Sequence, residues 1–294
     1  MNVIGQGQNP NEAPPGTLLK ARTENGSVRW FYQDQDRLRI LGQETRLGSL
    51  LSLPGPELTR KLETAAIANE APIQLLAPVD EDTEIWAAGV TYLASKQARM
   101  EESLEADIYE RVYDAERPEL FFKAIGRRAS GPGGPAGIRE DSRLNVPEPE
   151  VALVLNSEAQ VAGYTICNDM SSRSIEGENP LYLPQAKVYR HSCAIGPWIR
   201  TAAHMPDPGS LGITMEIFRS GEVAWKGNTS TANLKRTFTE LSTYLFRAET
   251  YTAGAMLSTG TCVVPDLDFI LSEGDIVAIT IDGIGTLANT VTKV

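Results

Sequence analysis

The chain has 294 residues, 41% hydrophobic and 22% charged, and carries a net charge of -11 at pH 7. This composition suits a globular protein with a buried core and excludes disordered and fibrous classes. The excess of acid argues against nucleic acid and anionic membrane as partners, yet a small anion can still be drawn in through a local cation.

In chain order, the first 15 residues are polar, without the apolar core of a secretion signal. No later run is long enough for a membrane-spanning helix, so a cytoplasmic protein with no membrane partner is expected. Residues 1–76 read as a small N-terminal domain for packing or dimerisation, and 77–294 as the catalytic domain. Segments 18–22 and 28–32 suit strands across an Asn25-Gly26 turn. Residues 47–53 are an apolar stretch, and 57–69 have helical spacing with Leu58 and Leu62 on one side. A buried strand follows over 85–92. The charged stretch 93–113 predicts one surface helix or two, weakly anchored and suited to a lid. Glu119 to Lys123 is strand-like, and 126–143 is a loop rich in Gly and Pro that lacks the Gly-Lys-Ser/Thr of a phosphate-binding loop.

Chemistry concentrates further on. Glu148 and Glu150 sit two apart at the start of the apolar run 151–155, so an extended chain points both carboxylates to one face. Such a pair either lies in water at a strand edge or shares a proton or cation. Asp169 ends a second strand-like run, 161–167. If the two runs form a hairpin, Asp169 returns to Glu148. Three hard oxygen ligands without His or Cys suit Mg2+, Mn2+ or Ca2+ rather than zinc. The segment from Asp169 to Lys187 is dense in polar groups, and Arg173 would lie beside Asp169 on a helix. Lys187 follows apolar Leu181, Leu183 and Pro184. Of only two histidines, His191 lies on a strand-like run over 191–199. Cys167, Cys193 and Cys262 read as reduced thiols. Segments 211–219 and 221–225 suit strands and 233–247 a helix. The turn at Thr259-Gly260-Thr261 offers backbone N–H groups to an anion, and 276–281 with 285–291 reads as a closing hairpin. Strands outnumber helices at irregular spacing, predicting a mixed, β-rich α+β fold.

Several motifs recur together in one order. Glu148-x-Glu150, Asn168-Asp169-Met170-Ser171-Ser172-Arg173, Lys187, Gly196-Pro197, Thr259-Gly260-Thr261, Gly274-Asp275 and the run from Gly283 to Val291 together resemble the fumarylacetoacetate hydrolase family, over about 85–294. The resemblance implies a fumarylacetoacetate-hydrolase-like mixed β-roll with a small N-terminal domain, assembled as a homodimer or homotetramer. It implies Mg2+ (Mn2+ or Ca2+ as alternatives) on Glu148, Glu150 and Asp169, with Lys187 as the active-site lysine. Hydrolases of the family carry a water-activating His three residues after the Tyr of Gly-x-x-Tyr. In Gly89-Val90-Thr91-Tyr92 that place is Ser95, which has no basic nitrogen.

The stretch 168–187 looks instead like the sugar-acid dehydratase branch, with Glu178 and Asn179 suited to hydroxyl groups. This implies a hydro-lyase taking water from a 2-keto-3-deoxy sugar acid to give 2,5-dioxopentanoate. The roles implied are Lys187 as base and Glu119 as acid, with Arg173 and Thr261 on the substrate carboxylate. Glu176, Gln185 and Ser95 would complete the substrate site, and Glu101 or Glu102 could reach it from the lid. The alternatives are a C–C hydrolase acting on diketo acids such as acylpyruvates, and a metal-binding scaffold without turnover.

Overall fold

The computed structural model describes residues 8–93, 106–205 and 207–294. Strands β1 Thr17–Thr23, β2 Val28–Asp34 and β3 Arg37–Ile40 precede helices α1 Leu47–Leu51 and α2 Gly55–Glu63, then β4 Ala66–Ile67 and β5 Pro72–Leu75. The middle of the chain gives β6 Glu84–Gly89, α3 Ala106–Asp114, β7 Glu119–Ile125, β8 Pro135–Ile138, β9 Asn145–Val146, β10 Pro149–Leu155 and β11 Val161–Asp169. Next come β12 Ser171–Ser172, α4 Arg173–Glu178, α5 Leu183–Lys187 and β13 Cys193–Thr201. The chain closes with β14 Gly212–Arg219, β15 Glu222–Ser230, α6 Phe238–Phe246, β16 Ala255–Ser258, β17 Ile276–Ile281 and β18 Gly285–Lys293.

Among the described residues, one large sheet runs β4-β3-β2-β1-β13-β11-β10-β16-β6-β7, with β5 also on β1. A second sheet runs β15-β14-β17-β18-β8. Leu153, Ile166 and Leu257 on one face of the large sheet pack with Met215, Ile217 and Ile279 of the second. On the opposite face Ala152, Val154 and Met256 share a core with Leu47, Leu50, Leu58 and Leu62 of α1 and α2. Strand β10 is therefore buried along its whole length, which is why its sequence from Val151 to Leu155 is a continuous apolar run rather than an alternating one. Each fully buried leucine in these layers contributes about 2 kcal/mol of transfer free energy.

Several expectations shift. The apolar stretch at 47–53 is mostly the helix α1, three of whose leucines are buried. The expected helix over 57–69 stops at Glu63, since Ala66–Ile67 pairs with β3. Helix α6 starts at Phe238, because Thr237 caps it by accepting from the Glu240 N–H at 3.1 Å. The loop 126–143 contains β8, paired in parallel with β18. Of the expected lid, α3 is seen, its C-terminal end held where Lys235 and Arg236 donate to the carbonyls of Tyr113 and Glu116. Residues 94–105 lie outside the described residues, and with them Ser95, Glu101 and Glu102. The expected boundary at 76/77 falls within a single sheet, since β1 pairs with β13.

Candidate active site and metal centre

The site forms where β10 and β11 meet at one end of the large sheet. The two strands are antiparallel, with Pro149 opposite Asn168 and Glu150 opposite Cys167. Just beyond the ladder, the Asp169 N–H donates to the Glu148 carbonyl at 3.0 Å. This hairpin brings Asp169 back onto the Glu-x-Glu pair. One carboxylate oxygen from each of Glu148, Glu150 and Asp169 lies within 4.8 Å of the others, and all three side chains are buried.

Each carboxylate has a different surround. Glu148 Oε1 accepts from Arg173 Nε at 2.9 Å and lies 2.8 Å from Nη2, while Oε2 accepts from Lys187 Nζ at 2.6 Å. Asp169 Oδ1 pairs with Lys123 Nζ at 2.5 Å, and Oδ2 lies 3.3 Å from Lys187 Nζ. Glu150 Oε2 accepts from Ser258 Oγ at 2.5 Å and from the Gly260 N–H at 2.8 Å. Burial, then the charges of Asp169 and Glu148, push the Glu150 carboxyl up to about 8, against the opposing influence of the Ser258 bond and Lys187. Three buried carboxylates gathered this closely suit a hard divalent cation. Their all-oxygen donor set fits magnesium, manganese or calcium.

Beside the triad is a narrow pocket lined by Gly89, Glu119, Phe121, Glu176, Leu183, Lys187 and Thr261, with Glu148 and Glu150 at its base. Glu119 stands directly across from Gly89 in the β6–β7 ladder. A Cβ at Gly89 would come within 2.1 Å of Glu119 Oε2, so any larger residue there would displace that carboxylate from its present place. Lys187 Nζ lies 5.6 Å from the Phe121 ring centre and also donates to Ser171 Oγ at 2.5 Å.

The structure thus gathers Glu119, Glu148, Glu150, Glu176, Lys187 and Thr261 on one pocket, with Asp169 completing the triad. Arg173 is buried at the start of α4, but its guanidinium is engaged by Glu148, outside the pocket lining; the expected neighbour was Asp169. Gln185 is exposed and also outside the lining. Glu178 is exposed, and Asn179 uses its side-chain oxygen to accept the Leu181 N–H at 2.9 Å. In the turn at 259–261 the Gly260 N–H does meet an anion, but that anion is Glu150, and the Thr259 N–H donates to the Val151 carbonyl at 3.0 Å. Sequence reasoning missed Lys123 and Ser258; a lysine directly after two phenylalanines in an apolar strand was the available signal for the first.

Residues 84–292 match the family model described as fumarylacetoacetate (FAA) hydrolase C-terminal. A probable 2-keto-3-deoxyxylonate dehydratase of Haloferax volcanii is 49% identical over 259 residues, 87% of this chain and 89% of its own length. A 2-dehydro-3-deoxy-D-arabinonate dehydratase of Saccharolobus solfataricus is 44% identical over 225 residues, 75% of each chain. A solved structure of 2-keto-3-deoxy-D-arabinonate dehydratase complexed with magnesium and 2,5-dioxopentanoate superposes with a TM-score of 0.80. It is 35% identical and covers 95% of this chain and 99% of its own.

Proposed function

The chain belongs to the fumarylacetoacetate hydrolase family, and from that premise we propose that it is a magnesium-dependent hydro-lyase. It converts 2-keto-3-deoxy-D-arabinonate to 2,5-dioxopentanoate, α-ketoglutarate semialdehyde. What carries this reading is the buried Glu148, Glu150 and Asp169 triad with Lys187 in hydrogen-bond reach of two of its members, in a chain 49% and 44% identical to two named sugar-acid dehydratases. The xylonate and arabinonate names of those relatives denote one compound. C2 is a ketone and C3 a methylene in both, so C4 is the only stereocentre left, and the two names coincide when both belong to the D series.

Glu148, Glu150 and Asp169 would hold the divalent cation, which would supply Lewis-acid polarisation of the 2-oxo acid and so acidify its C3 hydrogens. Lys187 Nζ then takes a C3 proton as general base. Glu119, on the same pocket, gives a proton to the departing C4 hydroxyl, which leaves as water. The double bond formed between C3 and C4 moves to C4 and C5 as a C5 proton is lost and C3 regains one. Glu119, now a carboxylate, and Lys187, now an ammonium, are the groups that accept and return those protons. The resulting enol becomes the aldehyde by protonation at C4. Glu176 and Thr261 hold the substrate's polar groups, and Phe121 and Leu183 exclude water. Arg173 acts through Glu148, fixing its carboxylate.

As part of the same proposal the enzyme works in the cytoplasm as a homodimer or homotetramer, a state that light scattering on the purified protein measures directly. No helix among the described residues is long and apolar enough to cross a membrane.

The test is a coupled assay. The purified protein receives 2-keto-3-deoxy-D-arabinonate and Mg2+, an NAD(P)-dependent semialdehyde dehydrogenase reads the product, and loss of acetylpyruvate is followed in parallel. Turnover of the sugar acid that stops with EDTA and in Glu148→Ala supports the lyase. Cleavage of acetylpyruvate without sugar-acid turnover rejects it in favour of C–C hydrolysis.

A further inference from the structure

Lys123 belongs to the edge strand β7 and is fully buried, with 0% exposure. Its place results from an irregularity in strand pairing. Ile85 pairs with Ala124 and Trp86 with Phe122, so Lys123 is the residue passed over between them. A bulge of this kind adds one residue to a strand and re-aims its side chain. Lys123 and Ala124 are consequently both buried in succession, where strict alternation would turn one of them outward.

The re-aimed ammonium has three oxygen neighbours and three N–H bonds to offer. It donates to the Lys187 carbonyl at 2.5 Å and to the Met170 carbonyl at 3.0 Å, and it pairs with Asp169 Oδ1 at 2.5 Å. The Tyr189 ring centre lies 6.0 Å away and closes that side. Lys123 is not among the residues that line the pocket. Its partners are the backbone of one active residue, the backbone directly after a metal-site residue, and that residue's own carboxylate.

We propose that Lys123 is the positioning residue that couples the metal centre to the catalytic lysine. It occupies one oxygen of Asp169, leaving Oδ2 to face the triad and Lys187. Through the carbonyls it also fixes where α5 ends and where β11 turns. A buried cation that donates to two carbonyls and pairs with a carboxylate, on an edge strand distorted to deliver it, resists any shift between the two elements. The assignment rests on the proposed function for what Lys187 does, but its geometry is independent of the substrate.

Wild type and Lys123→Met are compared in three ways: calorimetric titration with Mg2+, deuterium exchange over residues 183–190, and kinetics on the sugar acid. The expected results are Mg2+ affinity weaker by about 10- to 100-fold and faster exchange confined to α5 and its flanks. In the kinetics, kcat falls by about 100-fold, with KM at saturating metal held within about threefold. Mg2+ affinity and exchange both matching the wild type overturn the assignment. If Lys123→Met does not fold, Lys123→Gln takes its place with the same expected and overturning results. Failure of both to fold even with Mg2+ makes Lys123 a structural group only and also overturns the assignment. If the wild type itself ignores the sugar acid, the functional reading fails, while the titration and exchange still decide the role of Lys123.

Discussion

Replacing Glu150 with glutamine removes a charge with almost no change of volume. The glutamine oxygen can still accept from Ser258 Oγ and the Gly260 N–H, the two bonds that Glu150 Oε2 makes, and its amide can donate to the neighbouring carboxylates. What the exchange removes is the cost of ionising a buried acid. Burial and the adjacent Asp169 and Glu148 raise this carboxyl from its ordinary 4.5 to about 8. The fold therefore favours the protonated form. That preference stabilises the metal-free protein fully below pH 4.5, and the contribution is lost as pH rises through about 8. At about 1.4 kcal/mol per unit, the gap corresponds to roughly 4 to 5 kcal/mol. Glu150→Gln does not ionise and should escape this loss. In EDTA it should match the wild type near pH 5 and exceed it at pH 8.5, by up to about 4 kcal/mol. Saturating Mg2+ should reverse the order, because only the wild type keeps all three ligands. Urea unfolding at both pH values, with EDTA and with Mg2+, measures all four quantities. A variant less stable than wild type in EDTA at pH 8.5, or one stabilised by Mg2+ as much as the wild type, would refute the reasoning.

Two further substitutions test how the site is held. Gly89→Ala places a methyl where the Glu119 carboxylate now sits, 2.1 Å from Oε2. It should lower kcat by about 10- to 100-fold while Mg2+ affinity stays unchanged, and kinetics beside a metal titration would expose an error if kcat held. Arg173→Lys offers one point charge where Nε and Nη2 of the guanidinium both reach Glu148 Oε1. Mg2+ affinity should fall by about tenfold or more by calorimetry, and an unchanged affinity would show that Glu148 is held without Arg173.

The gathering of the three carboxylates was legible because its determinants are local. Two glutamates at i and i+2 share a face in any strand, and a hairpin return of Asp169 needs only the pairing of adjacent runs, as β10 and β11 do. Lys123 was not legible in the same way. Its inward aim depends on a register shift against β6, a cross-strand property that leaves no local pattern. Asn179 looked like a ligand for hydroxyls because its side chain is polar and near the right motif. In the fold a short helix over Pro180–Tyr182 claims its oxygen as a cap, which is a common use of asparagine. Leu47–Leu51 read only as apolar, since a run so short cannot distinguish a buried helix from a strand. The N-terminal segment read as a separate unit because its pairing to β13 spans most of the chain.

That pairing imposes an order in time. Thr17 meets Arg200 across the ladder, and the Arg200 guanidinium donates to Thr17 Oγ1 at 3.0 Å and to the Pro14 carbonyl at 3.2 Å. On a ribosome, β1 emerges early and waits for nearly two hundred residues before its partner exists. It can pair with β2 along one edge and with β5 over Ala21–Thr23 on the other meanwhile, but the Thr17–Leu18 part of that second edge stays open. The β10–β11 hairpin faces no such delay, since Glu148 and Asp169 are joined by a short loop of chain. The carboxylates therefore gather before the sheet that buries them is complete, at a stage when water still screens their repulsion. Closure of β1 on β13 is a long-range step of high loop-closure cost, of the kind that slows folding and leaves strand edges exposed. In this chain the three carboxylates sit on one short hairpin, whereas the sheet and the pocket around them are completed by segments far apart in sequence.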